Sequence, residues 1–467
     1  MQTLTPPPTN PALAARETVA RLRGSFDSGR TRPLEWRRVQ LERMRSMLER
    51  HEPEILAALA TDLGKPAIEG WGAEIAIARH EIDYALDHLD DWSKPQRASL
   101  PLTQRPGHAR LVAEPLGVVL VIAPWNYPLQ LLLAPMVGAL AAGNCVLAKP
   151  SEVSAATSAV IARLLPKYVD PECVAVVEGG APETTEILAQ RFDHILYTGN
   201  GKVGRIVMEA AARHLTPVTL ELGGKSPAIV LDDARLGVAA RRIAWGKFFN
   251  AGQTCVAPDY VLVQRGVADE LVDGIAEAVR EFYGADPQAS PDYARIVNDR
   301  HFERLTRLLG SGTAVIGGAN DAATRYFAPT VLTHVDPGAP VMQEEIFGPI
   351  LPIIPVEDVD DAVAFVVARD KPLALYVFSE SSEHQREITE RTSSGGVCVN
   401  HTLLQFGVPS LPVGGVGPSG MGSYHGKAGF DTFTHYKPML HKPSRPDPKL
   451  AYPPYTARKE KILRRLL

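Results

Sequence analysis

The chain has 467 residues, 45% of them hydrophobic, and a formal net charge of -4 from 49 Lys and Arg against 53 Asp and Glu. That length can build a large core and two or more domains, and the near balance of charge excludes nucleic acid or another polyanion as the expected partner. The four cysteines, Cys145, Cys173, Cys255 and Cys398, lie far apart; with no CxxC pair and no Cys/His set at zinc spacing, neither a disulfide scaffold nor a metal centre is expected, and a reducing, cytoplasmic compartment is.

Met1 to Pro11 is rich in Pro and Thr and lacks the charged and apolar regions of a signal peptide, so a disordered arm is expected. Residues 33–50 place Leu41, Met44 and Leu48 at helical spacing. Pro53 opens a second helix that Gly64 ends, and 68–92 reads as a third. The texture changes at Arg105. Short apolar strands at 111–113 and 117–122 precede a helix at 129–142, a strand at 145–148 and a helix that Ser151 is placed to cap. Strands at 174–177, 194–197, 218–220 and 228–231 alternate with a helix opened by Pro182 and another over 203–213. Apolar strands joined by helices predict an α/β chain whose parallel sheet is covered on both faces, in a doubly wound nucleotide-binding architecture.

A helix over 241–249 and a strand over 260–263 flank Phe249-Asn250-Ala251-Gly252-Gln253-Thr254-Cys255-Val256-Ala257-Pro258, which puts Cys255 on a helix-to-strand connection. Reactive groups tend to sit on such loops, while a buried structural thiol is the equal alternative. A second alternating set follows, with helices at 268–283, 360–368 and 383–392 and strands at 350–355, 374–378 and 397–400, and predicts a second α/β domain. Residues 407–429 are glycine-rich and loop-like, and 429–437 alternate as an edge strand would. No apolar run of about 18 residues occurs, so no spanning helix is expected; the basic amphipathic end, Lys459 to Leu467, reads as a soluble tail.

Several stretches carry chemistry. Gly199-Asn200-Gly201-Lys202-Val203-Gly204 follows a strand, opens a helix and matches GxGxxG, with Glu221 about twenty residues on where a ribose-binding acid would stand. Glu221 also ends an apolar strand just before Gly223-Gly224, a setting for a desolvated base or for a solvated strand-end acid. Lys149 and Glu152 fall at a strand end and helix start, as a nucleotide site or as a capped helix with a favoured acid. Asn126, held between Trp125 and Tyr127 by Pro124 and Pro128, is an oxyanion donor or a turn asparagine. Glu345 and Phe347, before a Gly348-Pro349 turn, could grip a ribose or form an ordinary turn.

Taken in order, Pro124-Trp125-Asn126, Lys149-Pro150-Ser151-Glu152, Leu220-Glu221-Leu222-Gly223-Gly224, Gly252-Gln253-Thr254-Cys255 and Glu345-Ile346-Phe347-Gly348-Pro349 resemble the aldehyde dehydrogenase superfamily over nearly the whole chain. Trp245-Gly246-Lys247-Phe248, Ala257-Pro258-Asp259-Tyr260, Tyr424-His425-Gly426-Lys427 and Tyr452-Pro453-Pro454-Tyr455-Thr456 resemble its class 3 branch, which includes fatty, aromatic and coniferyl aldehyde dehydrogenases. The resemblance implies Cys255 as nucleophile, Glu221 as general base, and Asn126 with the Cys255 N–H as oxyanion hole. It implies Lys149 and Glu152 at the adenosine ribose, Gly199, Asn200, Gly201 and Gly204 near the pyrophosphate, and Glu345 and Phe347 by the nicotinamide ribose, so that Glu152 replaces Glu221 as the ribose acid. It further implies an NAD or NADP cofactor, an aldehyde substrate and a homodimer. The NAD-binding domain would span 1–104 and 116–222, the catalytic domain 223–406, and a small β oligomerisation arm with the tail 105–115 and 407–467. A CoA-acylating enzyme and a non-catalytic family member are the alternatives. Two positions depart from the family pattern: Val413 in Leu411-Pro412-Val413-Gly414-Gly415, where Phe is common, and His401 after Asn400, where Asp is common.

Overall fold

A computed structural model describes residues 11–466. The expected disordered arm, Met1 to Pro11, lies outside them except for Pro11, which opens a helix, Pro11–Asp27, absent from the sequence-based expectation.

Five parallel strands, Val118–Ile122, Cys145–Lys149, Val174–Val176, His194–Gly199 and Val218–Leu222, form the body of a six-stranded sheet. In order across the sheet they run fifth, fourth, first, second, third. The order therefore reverses between Val118–Ile122 and His194–Gly199, and in open α/β sheets ligands bind outside the carboxyl ends of the strands at such a point. The sixth strand, Gly420–Met421, comes from the region expected as loop and pairs antiparallel beside Glu221 and Leu220. Val118–Ile122 and Cys145–Lys149 are buried along their whole length, because helices cover both faces. The helix Gln130–Ala142 is buried nearly all round, packed against Ile77–Ser93 and Gly426–Thr432. Gly138 makes the second approach possible: a Cβ there would come within 2.8 Å of the Gly429 backbone.

A seven-stranded sheet holds the other half of the molecule. Thr330–Thr333, Ile350–Val356, Tyr260–Gln264, Pro227–Val230, Ala374–Phe378 and Gly396–Val399 run parallel, and Thr313–Ile316 adds an antiparallel edge. A third sheet joins Gln96–Ala98, His108–Pro115 and Thr434–His441.

Four local expectations are corrected. The third helix is interrupted by a π-helical turn at Trp71–Ala76. Ser151 does not cap the helix Ala155–Tyr168; its Oγ accepts from Val153, and the first-turn N–H groups of Ala156 and Thr157 are taken by the distant Asp62 carboxylate at 3.0 and 2.8 Å. The expected edge strand at 429–437 is a helix, Gly426–Thr432, followed by a strand, Thr434–His441. Phe430 and Phe433 are both fully buried three positions apart, so the apolar spacing there was helical. The helix Asp299–Leu309, which supplies Arg304 to the site below, was not anticipated.

Candidate active site

The helix Leu236–Phe248 ends in a turn where Asn250, Ala251 and Gly252 take φ of 53°, 51° and 74°. Left-handed backbone at two non-glycine residues costs on the order of 1 kcal/mol or more each and persists only where the surroundings enforce it. They do so by hydrogen bonds. Asn250 N–H donates to Glu69 Oε2 at 2.9 Å, and Asn250 Nδ2 donates to the Asn126 carbonyl at 3.1 Å. Gln253 Nε2 donates to the Asn250 and Arg295 carbonyls at 3.0 and 2.9 Å, while its Oε1 accepts from Val297 N–H at 2.9 Å. Thr254 Oγ1 meets Tyr127 OH at 2.6 Å, and Tyr376 OH donates to the Val256 carbonyl. Gly252 is required here, since a Cβ would run into the Gly348 carbonyl. The result is a partly exposed Cys255 on a rigid turn.

Two carboxylates converge on that thiol. Glu221 reaches it from the six-stranded sheet; the residue is 4% exposed and neither carboxyl oxygen has a partner. Burial holds its carboxyl well above the usual range. Glu345 arrives from the loop before Ile350–Val356. It rests against Gly223, where a Cβ would leave it no room, and accepts from Gly224 N–H, leaving Oε1 buried and unpartnered. Burial, reinforced by Asp259, raises Glu345 to about 8. Cys255 is in turn pushed up to about 12, by burial first and then by Glu345 and Glu221, while the N–H groups of Cys255 and Val256 pull the other way.

Asn126 lies on the loop that leaves the carboxyl end of Val118–Ile122, beside the reversal of strand order. It is 2% exposed, and its Nδ2 donates to the Gln253 carbonyl at 3.0 Å. A primary amide carries two N–H bonds, so one remains beside the Cys255 turn.

Lys149 and Glu152 form an ion pair at 2.9 Å just past the strand Cys145–Lys149, with the Lys149 amine also on the Pro150 carbonyl at 3.0 Å. Glu152 acts electrostatically on Tyr197, whose OH reaches the Asn200 carbonyl at 3.3 Å, so this pair and the glycine turn are neighbours. Asn200 Oδ1 caps the helix Gly201–Ala212 by accepting from Val203 N–H at 3.0 Å, and a Cβ on Gly201 would meet only the Arg205 side chain, at 3.6 Å. Gly199 and Gly204 are more tightly enclosed: a Cβ on the first would strike the Tyr197 ring and one on the second would meet Leu222 at 2.9 Å, so both glycines serve close packing. Phe347, at φ 47°, stands edge-on to Trp125 with ring centroids 5.3 Å apart, which joins the loops of the two sheets.

Several site residues went unread in the sequence. Arg304 donates to the Glu345 and Ile346 carbonyls, and Lys225 donates to the Val341 and Glu344 carbonyls at 2.8 and 2.9 Å and pairs with Asp259. Asp259 Oδ1 accepts from Ile346 N–H at 3.0 Å. Together they fix the Glu345 loop. Lys247 is fully buried without a partner for its amine, and burial lowers it to about 8. Lys65, Glu69 and Glu74 are also buried behind the site. Helical periodicity marks none of these, because each acts across elements distant in the chain. The departure His401 stacks edge-on to Trp245 at 5.7 Å, and Val413 pairs with Tyr424 through both backbone N–H groups at 2.8 Å.

The profile of the aldehyde dehydrogenase family matches residues 6–439. Aldehyde dehydrogenase family 3 member A2 of Mus musculus is 54% identical over 438 residues, 93% of this chain and 90% of that protein. A Canis lupus familiaris protein named aldehyde dehydrogenase, dimeric NADP-preferring, is 49% identical over 445 residues, 95% of this chain and 98% of its own. Among solved structures, the substrate-bound state of Staphylococcus aureus AldH superposes with a TM-score of 0.94 at 44% identity, covering 97% of this chain and 99% of that one. An indole-3-acetaldehyde dehydrogenase complexed with NAD+ superposes with a TM-score of 0.85 at 27% identity, covering 92% and 89%. With a thiol, a buried and a half-buried carboxylate and an amide gathered where the two sheets meet, and with these likenesses along its length, the chain belongs to the aldehyde dehydrogenase family.

Proposed function

We propose that this protein oxidises aldehydes to carboxylic acids with NAD or NADP, through a covalent intermediate on Cys255. The observation that carries this is the meeting of the Cys255 thiol with the buried, unpartnered Glu221 carboxyl beside the Asn126 amide. Cys255, its thiol proton passed to solvent, attacks the aldehyde carbon as the thiolate, forming a tetrahedral thiohemiacetal. Asn126 Nδ2 and the Cys255 N–H donate to its oxyanion, and losing one such donor typically costs roughly 3 kcal/mol of barrier. When bound, the nicotinamide supplies a hydride acceptor. The thioester left on Cys255 needs an activated water, and the Glu221 carboxylate, once ionised, takes that water's proton. Cys255 is then released with the acid.

The residues fit the cofactor. Lys149 and Glu152 set an ammonium donor beside a carboxylate acceptor, the combination that matches a ribose diol, and the carboxylate disfavours a 2′-phosphate and so favours NAD over NADP. The unpartnered Glu345 Oε1 suits a second ribose hydroxyl, with Phe347 against its neighbour Trp125. Asn200 and Gly201 open a helix whose first N–H groups suit a pyrophosphate. Gly199 and Gly204 support that turn from beneath.

The three larger sheets support a division into an NAD-binding domain over 1–104 and 116–222, a catalytic domain over 223–406, and an arm and tail over 105–115 and 407–467, with Gly420–Met421 returning to the first sheet and Gln96–Ala98 joining the arm's. The dimeric relative supports a homodimer built through the arm. Among the described residues no helix is long and apolar enough to cross a membrane, and the unpaired cysteines suit the cytoplasm. The test is steady-state kcat/KM for hexanal, dodecanal, benzaldehyde and coniferaldehyde with each cofactor, with the product identified in the presence and absence of CoA. Carboxylic acid in both cases supports the proposal. Acyl-CoA, or cofactor binding without any reduction, overturns it.

A further inference from the structure

The segment between Leu63 and Ile77 touches both halves of the reaction centre while contributing no group to the chemistry above. Gly64 closes the helix Glu52–Leu63 at φ 57°, and a short helix, Ala67–Gly70, runs into the π-helical turn Trp71–Ala76. The side chains of Lys65 and Glu74 are both fully buried and pair at 2.6 Å. The same Lys65 amine donates to the Asn126 backbone carbonyl at 2.9 Å and lies 4.2 Å from the centroid of the Tyr127 ring. The second Glu74 oxygen accepts from Leu129 N–H and Gln130 N–H, each at 3.0 Å. One buried ion pair thus holds the Asn126 loop at its start and at its end.

The segment's third charge reaches the other partner. Glu69 Oε2 accepts from Asn250 N–H at 2.9 Å, and Asn250 Nδ2 returns to the Asn126 carbonyl at 3.1 Å. Glu69 and Glu74 are five residues apart, a step that leaves side chains about 140° apart around an α-helix. The chain enters the π turn Trp71–Ala76 between them, and its wider turn brings side chains five positions apart toward one side.

We infer that Lys65, paired with Glu74 and assisted by Glu69, is the positioning residue that sets the Asn126 amide in register with the Cys255 turn, resting on the reading of Asn126 as the oxyanion donor. Lys65 touches neither substrate nor cofactor in that role; it acts only through Asn126. A displacement of about 1 Å in such a group lowers rates roughly a hundredfold.

The experiment is a double-mutant cycle on the full chain, comparing Lys65→Met, Asn126→Ala and the two combined. The pre-steady-state NADH burst rate is measured beside NADH affinity by fluorescence and Cys255 alkylation by iodoacetamide. The expected result is a burst slowed roughly tenfold to a hundredfold by Lys65→Met, with NADH affinity and alkylation unchanged, and a double variant no slower than Asn126→Ala. Effects that multiply, or a Lys65→Met burst at the wild-type rate, overturn the inference. A normal burst in Asn126→Ala removes the oxyanion reading itself. If Lys65→Met does not fold, Lys65→Met/Glu74→Gln replaces the whole pair and carries the same test. Failure of both to fold while Asn126→Ala folds assigns the pair to stability alone and also overturns the inference.

Discussion

The Asn126 side chain donates to the Gln253 backbone carbonyl at 3.0 Å, so the amide on the six-stranded sheet is fastened to the turn that presents Cys255 from the seven-stranded sheet. A truncation here removes a donor and a fastening together. Asn126→Ala is expected to slow the burst roughly a hundredfold to a thousandfold, and to broaden the iodoacetamide reactivity of Cys255 into more than one phase. A single phase at the wild-type rate would separate the amide from the turn.

The thiol's environment predicts an unusual pH response. Cys255 is held up to about 12 by burial and then by Glu345 and Glu221, so alkylation of the cofactor-free enzyme should climb with pH well past neutrality, following the thiolate. Glu345 itself titrates at about 8. Below that pH it is neutral and opposes the thiolate little; above it the carboxylate repels it. Glu345→Gln should therefore accelerate alkylation by roughly tenfold above pH 8, one unit of thiol pKa, and leave it nearly unchanged at pH 6.5. Equal acceleration at both pH values would refute the charge account.

Glu221→Gln should preserve the full NADH burst and slow the steady state by roughly a hundredfold to ten-thousandfold. Because burial keeps the Glu221 carboxyl well above its ordinary range, ionised base becomes more abundant as pH rises, and wild-type deacylation should rise with it. The variant should lack that rise. Loss of the burst would count against Glu221 as the deacylation base.

Glu69 links the site to stability. Burial raises it from 4.5 to about 7, so between those values the folded state binds more protons than the unfolded chain, and stability falls as pH rises through that window. Replacement by Gln removes the effect while keeping an acceptor for Asn250 N–H. Relative to wild type, Glu69→Gln should gain up to roughly 3 kcal/mol between pH 4.5 and 7.5, measured as Tm against pH. Parallel Tm curves would show that the carboxyl is not buried as described.

Gly252→Ala combines a left-handed backbone at φ 74° with a Cβ directed into the Gly348 carbonyl. A cost of about 1–3 kcal/mol and a displaced Cys255 are expected, read as a lower Tm and a burst reduced more than cofactor affinity. Unchanged kinetics would mean that the turn relaxes elsewhere.

Family, alternating architecture and the stretch carrying Cys255 were legible because they are written locally: apolar runs of strand length, glycine and proline at element ends, and short motifs in a fixed order. The misreadings are equally local. Residues 429–432 read as the start of an edge strand because glycines blur the helical period there, and the cap on Ala155–Tyr168 comes from Asp62, which no neighbouring residue announces.

By itself the sequence determined that Glu221 ends a strand, that Asn126 sits on a proline-framed loop and that Cys255 lies between a helix and a strand. Only the tertiary structure decided that these three meet, that Glu345 joins Glu221 in opposing the thiolate, and that Gly199 and Gly204 pack beneath the Asn200–Gly201 turn. It also decided that Lys65 and Glu74 hold the Asn126 loop across 61 and 55 positions of chain. The reason is physical: strand and helix propensities act over a few residues, whereas desolvation, charge coupling and hydrogen bonds between buried groups depend on which distant segments folding brings to the same few ångströms.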